Sequence, residues 1–171
     1  MDESHPPIAT PRVSVWHITF GTYGTRLHGC DRPTVDLDHN RPGDPFIIDD
    51  PSRERYELDQ MISLPVFLTS DQRAFVESNL PLICERGGWK FFTCAAASNH
   101  VHTLIGVPKA IHGKDARKWL KRWLSEALSS RWQSQRAWWA EGGSTRVVPK
   151  DDYFRACIAY INKQRTTPAP N

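Results

Sequence analysis

Two histidines one residue apart, His100 and His102, interrupt a run that otherwise reads as a buried strand, Ser98-Asn99-His100-Val101-His102-Thr103-Leu104-Ile105-Gly106-Val107. Successive side chains of a strand point to opposite faces, so both imidazoles project from one face about 7 Å apart while Val101 turns to the core. Neutral imidazole binds divalent transition metals and is tolerated by harder ions, yet two ligands complete no usual site. The pair is either two ordinary strand histidines, one satisfied by backbone and one facing water, or part of a metal site whose remainder lies far along the chain. Such a remainder exists near the end. Within Tyr153-Phe154-Arg155-Ala156-Cys157-Ile158-Ala159-Tyr160-Ile161-Asn162-Lys163-Gln164-Arg165, the residues Phe154, Cys157, Ile158 and Ile161 form the apolar stripe of a helix that Asp151 or Asp152 can cap. Tyr160 and Gln164, four apart, share another face of it. They would add a side-chain carbonyl as a third ligand and a phenol close beside the metal.

Several elements must position these groups. Val13 to Phe20 is rich in β-branched and aromatic residues and ends in the glycines of Gly21-Thr22-Tyr23-Gly24, which reads as a strand. His17 shares a face with Val15 and Thr19, opposite Trp16, Ile18 and Phe20, and would support the metal ligands if this strand pairs near them. Otherwise it is a structural histidine of a half-buried strand. Thr69 or Ser70 caps a helix with apolar positions Phe75, Val76, Leu80, Leu82 and Ile83, running to Gly87-Gly88, and Pro81 kinks or divides it. Trp89 to Ala97 is a second strand, and only Ser98-Asn99 separate it from the histidine strand, so the two form a hairpin. Trp138 to Gly143 is a turn, and Ser144 to Val148 a short strand stopped by Pro149.

The formal charge is +3, unevenly placed. Between Lys109 and Arg136 eight basic residues face only Asp115 and Glu126, which suggests a polyanionic partner. Gly113 to Trp132 is an amphipathic helix whose stripe is Ala116, Leu120, Trp123, Leu124, Ala127 and Leu128. Lys114, Arg117, Lys118, Lys121 and Arg122 fill its flank as candidate nucleic-acid contacts. Trp119 and Trp132, interleaved with the cations, either stack on unpaired bases or belong to the core.

The chain's 171 residues fit one domain, expected at 13–165 between a flexible N-terminal segment, 1–12, and a flexible tail, 166–171. From Thr25 to Pro65 periodicity disappears and turn formers accumulate, the mark of an insertion folded over one face. Its His28, Asp31, Asp36, Asp38, His39, Asp44, Asp49 and Asp50 match no metal-binding loop, and Asp is also a plain turn former. Met1 to Arg12 lacks the apolar region of a secretory signal, and no run approaches the roughly 18 apolar residues that span a bilayer, so a cytoplasmic protein without membrane association is expected. Cys30, Cys84, Cys94 and Cys157 form no C-x-x-C pair, arguing against a zinc knuckle or a redox motif. They are expected to be reduced, with Cys84, Cys94 and Cys157 as small core residues.

Asn99-His100-Val101-His102, then a basic helix, then a late helix with Tyr160 and a polar ligand four residues on, resembles the single-tyrosine HUH transposases of small bacterial insertion sequences and the REP-associated tyrosine transposases. The resemblance spans Val13 to Gln164 in order of elements, and its most specific parts are the histidine pair and the Tyr160 helix. It implies an α+β fold, an antiparallel β-sheet with helices packed on its faces (ferredoxin-like, HUH nuclease), and a long loop insertion at 25–65. It also implies Mg²⁺ or Mn²⁺ as cofactor, held by His100, His102 and Gln164, with His17 and Asn99 in support. The substrate implied is single-stranded DNA beside a hairpin whose backbone meets Lys114, Lys118, Lys121 and Arg122. The family includes monomers and homodimers in which the tyrosine helix acts on the partner's site.

A site of this composition would use a divalent ion to polarise the scissile phosphate while Tyr160 attacks phosphorus in line. The products are a 5′-phosphotyrosine and a free 3′-hydroxyl, and another strand's 3′-hydroxyl can reverse the step, the chemistry of DNA transposition. A phenol, ionising only near about pH 10, is a poor nucleophile until a cation favours its phenolate. Two rivals stay open. A metal-dependent hydrolase would use the histidines but lacks an acidic residue two beyond them, where Leu104 stands, and leaves Tyr160 without a role. A domesticated DNA-binding or hairpin-processing relative would use the basic helix without transposition.

Overall fold

The computed structural model describes residues 13–26, 50–132, 137–149 and 152–165. Its elements are β1 (Val13–Gly21), α1 (Pro51–Asp59), α2 (Ser70–Arg86), β2 (Lys90–Ala96), β3 (His100–Pro108), α3 (Gly113–Arg131), β4 (Ser144–Val147) and α4 (Asp152–Asn162). The four strands make one antiparallel sheet in the order β2-β3-β1-β4, so the histidine strand and β1 lie at its centre. This is the α+β arrangement expected from the sequence.

Strand alternation divides the sheet into two unlike faces. On one, Trp16, Ile18, Phe20, Cys94, Ala96, Val101, Ile105 and Val107 pack against Val76, Leu80, Ile83 and Cys84 of α2 and Ala116, Leu120, Leu124 and Leu128 of α3. On the other, Val15, Ala95, Leu104 and Val148 meet Cys157 and Ile161 of α4. A register shift between Phe91 and Thr93 turns Phe92 towards α4, where its ring stands 4.9 Å from Phe154.

Thr69 caps α2 in a reciprocal box: its hydroxyl accepts the Gln72 N–H, and the Gln72 side chain accepts the Thr69 N–H. Pro81 does not divide this helix. Proline has no N–H to offer the Glu77 carbonyl four residues back, and the Cys94 thiol donates to that carbonyl instead, at 3.7 Å. Leu82, expected in the stripe, is exposed. Burial drives the pKa of the Cys84 and Cys94 thiols up to about 12, so both behave as inert core atoms.

The 25–65 region contains a helix where the sequence predicts an irregular insertion. Asp50 accepts the Ser52 and Arg53 N–H groups, Pro51 occupies the first turn, and α1 follows. No residue of α1 is buried, so no apolar stripe announces it. Residues 27–49, including Cys30 and most of the region's acidic groups, lie outside the described residues, as do 1–12, Asp151 and 166–171. Leading into β4, Gly143 takes φ 120°, and a Cβ there would stand 2.5 Å from the Thr19 carbonyl oxygen.

Candidate functional site

The site is built on the α4 face. His100 and His102 project from it side by side, their ring centroids 4.8 Å apart and nearly perpendicular. In the β1–β3 register Thr19 lies opposite His102 and His17 opposite Leu104, one step along the same face. His17 therefore stands diagonally beside His102, with centroids 5.4 Å apart.

Hydrogen bonds fix the orientation of each ring. Asn99 Oδ1 lies 2.7 Å from His100 Nδ1 and accepts its proton, leaving Nε2 with a lone pair. Thr19 Oγ1 lies 2.8 Å from His102 Nδ1, His17 Nε2 lies 3.2 Å from that same nitrogen, and Thr19 Oγ1 lies 3.5 Å from His17 Nε2. One assignment satisfies all three groups: His102 Nδ1–H donates to the threonine oxygen, and the threonine hydroxyl donates to His17 Nε2. His102 then also keeps Nε2 unprotonated. Metal-binding imidazoles are commonly held this way, the second nitrogen donating to an outer partner that fixes the tautomer.

α4 delivers the remaining groups from above. Its docking rests on Cys157 and Ile161, on the Phe92–Phe154 contact, and on a 2.5 Å hydrogen bond from the Thr93 hydroxyl to Asn162 Oδ1. Beyond Asn162 the chain tightens, with the Gln164 N–H bonded to the Ile161 carbonyl at 2.9 Å. Gln164 thus lies one short turn past the helix, not within it as expected. Arg165 follows, its Nε 3.9 Å from the buried Glu77 carboxylate, whose other oxygen accepts the Ala96 N–H. Placed so, the Gln164 side chain lies beside both His100 and His102 and favours the protonated form of each. The Tyr160 ring stands edge-on to His102 at 5.6 Å and to His17 at 6.3 Å, and is 52% exposed. The fold thus brings together Tyr160, His100, His102 and Gln164, with His17 and Asn99 beside them.

The electrostatics keep the imidazoles neutral. Burial lowers the His100 pKa, and Arg26 adds to the effect against the Gln164 side chain. Burial, followed by His100, His17 and Arg26, brings His102 down to about 4. Burial and then Arg146 lower His17. A neutral ring offers a lone pair at neutral pH, as a metal ligand must.

Two imidazole nitrogens and an amide oxygen fit a divalent ion that accepts mixed N and O donors and fills its other positions with water or phosphate oxygen. Among the described residues no group of three or more His, Cys, Asp and Glu is arranged to hold a metal, and the amide beside both imidazoles is that of Gln164. The groups that sequence reasoning missed are Thr19, Arg26 and Arg146. Thr19 was detectable, since it shares a face with His17 at a spacing of two. The arginines become neighbours of the site only through strand register and the turn after β1.

α3 packs on the opposite face of the sheet, away from the imidazoles. Lys114, Lys118 and Arg122 are exposed. The Arg117 guanidinium instead donates to the Gly143 carbonyl, and Lys121 Nζ donates to the carbonyls of Ala140 at 2.5 Å and Gly142 at 3.0 Å. Burial brings Lys121 down to about 8. These two cations fasten the turn before β4. Trp132 packs against Phe75 at 5.1 Å, whereas Trp119 is 43% exposed, with the Arg122 guanidinium over its ring.

No family model matches the chain, and no curated protein does. Several solved structures align with it, two of them as follows. One is a REP-associated tyrosine transposase bound to a REP hairpin, with 10% identity and a TM-score of 0.47 over 95% of this chain and 71% of that one. The other is a protein from Deinococcus radiodurans R1 provisionally called a transposase, with 16% identity and a TM-score of 0.43 over 98% of this chain and 100% of that one. At such identities no residue's role passes from either protein, and the chemistry is read from the side chains themselves.

Proposed function

We propose that this chain cuts and rejoins single-stranded DNA through a covalent 5′-phosphotyrosine at Tyr160, the chemistry of DNA transposition by a single-tyrosine HUH enzyme. The observation that carries the reading is the convergence on one sheet face of His100, His102 and Tyr160, whose ring stands edge-on to His102, with the Gln164 side chain beside both imidazoles. Ordinary strand histidines need no tyrosine ring edge-on to them from another element, and a hydrolase leaves the exposed phenol without a role.

Tyr160 Oη gives its proton to water and attacks phosphorus, the bond from phosphorus to the 3′-oxygen breaks, and that oxygen leaves as a hydroxyl after taking a proton from water. The covalent ester retains the phosphodiester's energy, so a 3′-hydroxyl of another strand displaces Tyr160 and joins DNA without a nucleotide cofactor. His100, His102 and Gln164 would hold a divalent ion, Mg²⁺ or Mn²⁺, which when bound would supply Lewis-acid polarisation of the phosphate and stabilisation of the leaving oxygen. Asn99 and Thr19 hold the two rings with Nε2 free, and His17 accepts from the Thr19 hydroxyl. The half-exposed position of Tyr160 admits a strand end from solvent. Hairpin DNA is the partner this reading adopts, and among the described residues no helix is long and apolar enough to cross a membrane.

The test is incubation with labelled single-stranded oligonucleotides and Mn²⁺, followed by a denaturing gel and mass spectrometry. A covalent adduct at Tyr160 is expected, and Tyr160→Phe removes it while leaving DNA affinity within about threefold, since an exposed hydroxyl adds little to binding. A Tyr160→Phe protein that cleaves at the wild-type rate overturns the nucleophile assignment. Retained DNA with no adduct on any hairpin or linear substrate points instead to a domesticated DNA-binding relative.

A further inference from the structure

Among the described residues the side-chain hydrogen-bond partners of the three imidazoles are Thr19, Asn99 and one another, with no carboxylate paired to any of them, and the charged side chains nearby are Arg26 and Arg146. Arg146 lies opposite His17 in the β1–β4 register, on the face that carries His102, at the Cβ spacing of about 5 Å usual for such pairs. Arg26 ends the turn after β1. That turn is tied to the histidine strand by the Thr22 N–H to the Asn99 carbonyl at 2.9 Å, and by the Thr25 hydroxyl to the carbonyls of Thr22 at 3.1 Å and Asn99 at 3.5 Å. Both arginines are exposed, and among the described residues neither has a hydrogen bond or ion pair. They flank the imidazoles from two directions, one from β4 and one from the turn beside His100.

A ligand set of His100, His102 and Gln164 brings no negative charge to a divalent ion, and two guanidinium groups nearby oppose its binding. The same arrangement attracts an anion with planar, paired oxygens. We propose that Arg26 and Arg146 clamp the non-bridging oxygens of the phosphodiester at Tyr160, and that this phosphate supplies the negative charge the metal site lacks, so that metal and single-stranded DNA bind as a coupled pair. The proposal rests on the reading of His100, His102 and Gln164 as metal ligands. Coupling is reciprocal: whatever factor DNA adds to metal affinity, metal adds to DNA affinity.

The arginines then have effects of opposite sign. Without DNA they weaken metal binding; with DNA they strengthen the assembly. The experiment uses the Tyr160→Phe protein, which binds without cutting, titrated with Mn²⁺ by electron paramagnetic resonance with and without a short oligothymidylate. Mn²⁺ should bind at least about tenfold more tightly with the oligonucleotide, in the usual range of coupling between sites. Replacing both arginines, Arg26→Gln with Arg146→Gln, should tighten Mn²⁺ about threefold without DNA and cut the DNA-induced gain below about threefold. It should also lower the slope of log affinity for DNA against log salt by about 0.7, the value for the one phosphate no longer neutralised. Lys118→Gln, on the opposite face, should leave Mn²⁺ affinity unchanged. An unchanged gain and an unchanged slope in the double variant overturn the clamp. If His100→Ala leaves Mn²⁺ binding intact, the ligand assignment fails by itself. The salt slope then decides the clamp alone, its fall supporting phosphate binding by the arginines and its persistence overturning it.

Discussion

The two faces of the sheet are made by the same strands and behave as different materials. Towards α2 and α3, β1 and β3 present Trp16, Ile18, Phe20, Val101, Ile105 and Val107, an apolar surface closed by two helices. Towards α4, alternate residues of those strands present His17, Thr19, His100 and His102, joined by hydrogen bonds and half open to solvent. The difference teaches that the fold's core and its candidate chemistry are carried by adjacent residues one peptide apart, on opposite faces. A residue between two proposed metal ligands, Val101, is fully buried core.

That separation can be broken or sharpened by experiment. The largest effect is expected on the apolar face: Leu124→Ala, at a fully buried position of α3, should cost about 2–5 kcal/mol in urea unfolding while leaving Mn²⁺ affinity of the folded protein unchanged. A large loss of metal affinity without unfolding would show the faces to be coupled. Next, the site face should respond to acid. His102 titrates at about 4 in the folded chain against 6.5 in the unfolded one, so the unfolded state binds more protons between those values. Stability of chelator-treated protein is therefore full above pH 6.5 and falls as the pH drops towards 4, by about 3 kcal/mol for this one ring. His102→Ala should flatten that slope, and an equal slope in the variant would place the titration elsewhere.

A smaller effect is expected from Thr19→Val, which keeps shape but removes the acceptor at His102 Nδ1. Metal affinity by Mn²⁺ titration should fall about 10- to 100-fold, with rescue by Thr19→Ser. Smallest is Trp119→Ala on the far face, where loss of a half-exposed stacking ring should weaken single-stranded DNA binding by about 1 kcal/mol, read by anisotropy, without altering metal affinity. A selective effect on metal would place α3 closer to the chemistry than the sheet allows.

Much of this was legible in the sequence because periodicity reports burial. Period-two alternation marked β1 and β3 and set His17, Thr19, His100 and His102 on common faces; period 3.6 marked α2, α3 and α4. The convergence of Tyr160 and Gln164 on the histidine pair followed from residue types and spacing. What escaped has a physical reason in each case. α1 buries nothing, so its only signals were Asp50 and Pro51 at its start. Gln164 lies past the end of α4 because the last turn tightens, and helix ends are set by local hydrogen bonds that composition does not specify. The direction taken by Arg117 and Lys121 depends on carbonyls about 20 residues away in the 140–143 turn, a non-local pairing. Arg146 reaches His17 through strand register, which one strand's sequence does not contain.

α4 lies on the sheet of its own chain, held by Ile161, Asn162 and Arg165. On the proposed reading, nucleophile and ligands travel on one molecule. Cleavage should be first order in protein, with specific activity surviving dilution, and a mixture of Tyr160→Phe and His102→Ala chains should not complement one another. A single molecule reaching one strand end would carry the whole cutting apparatus with it.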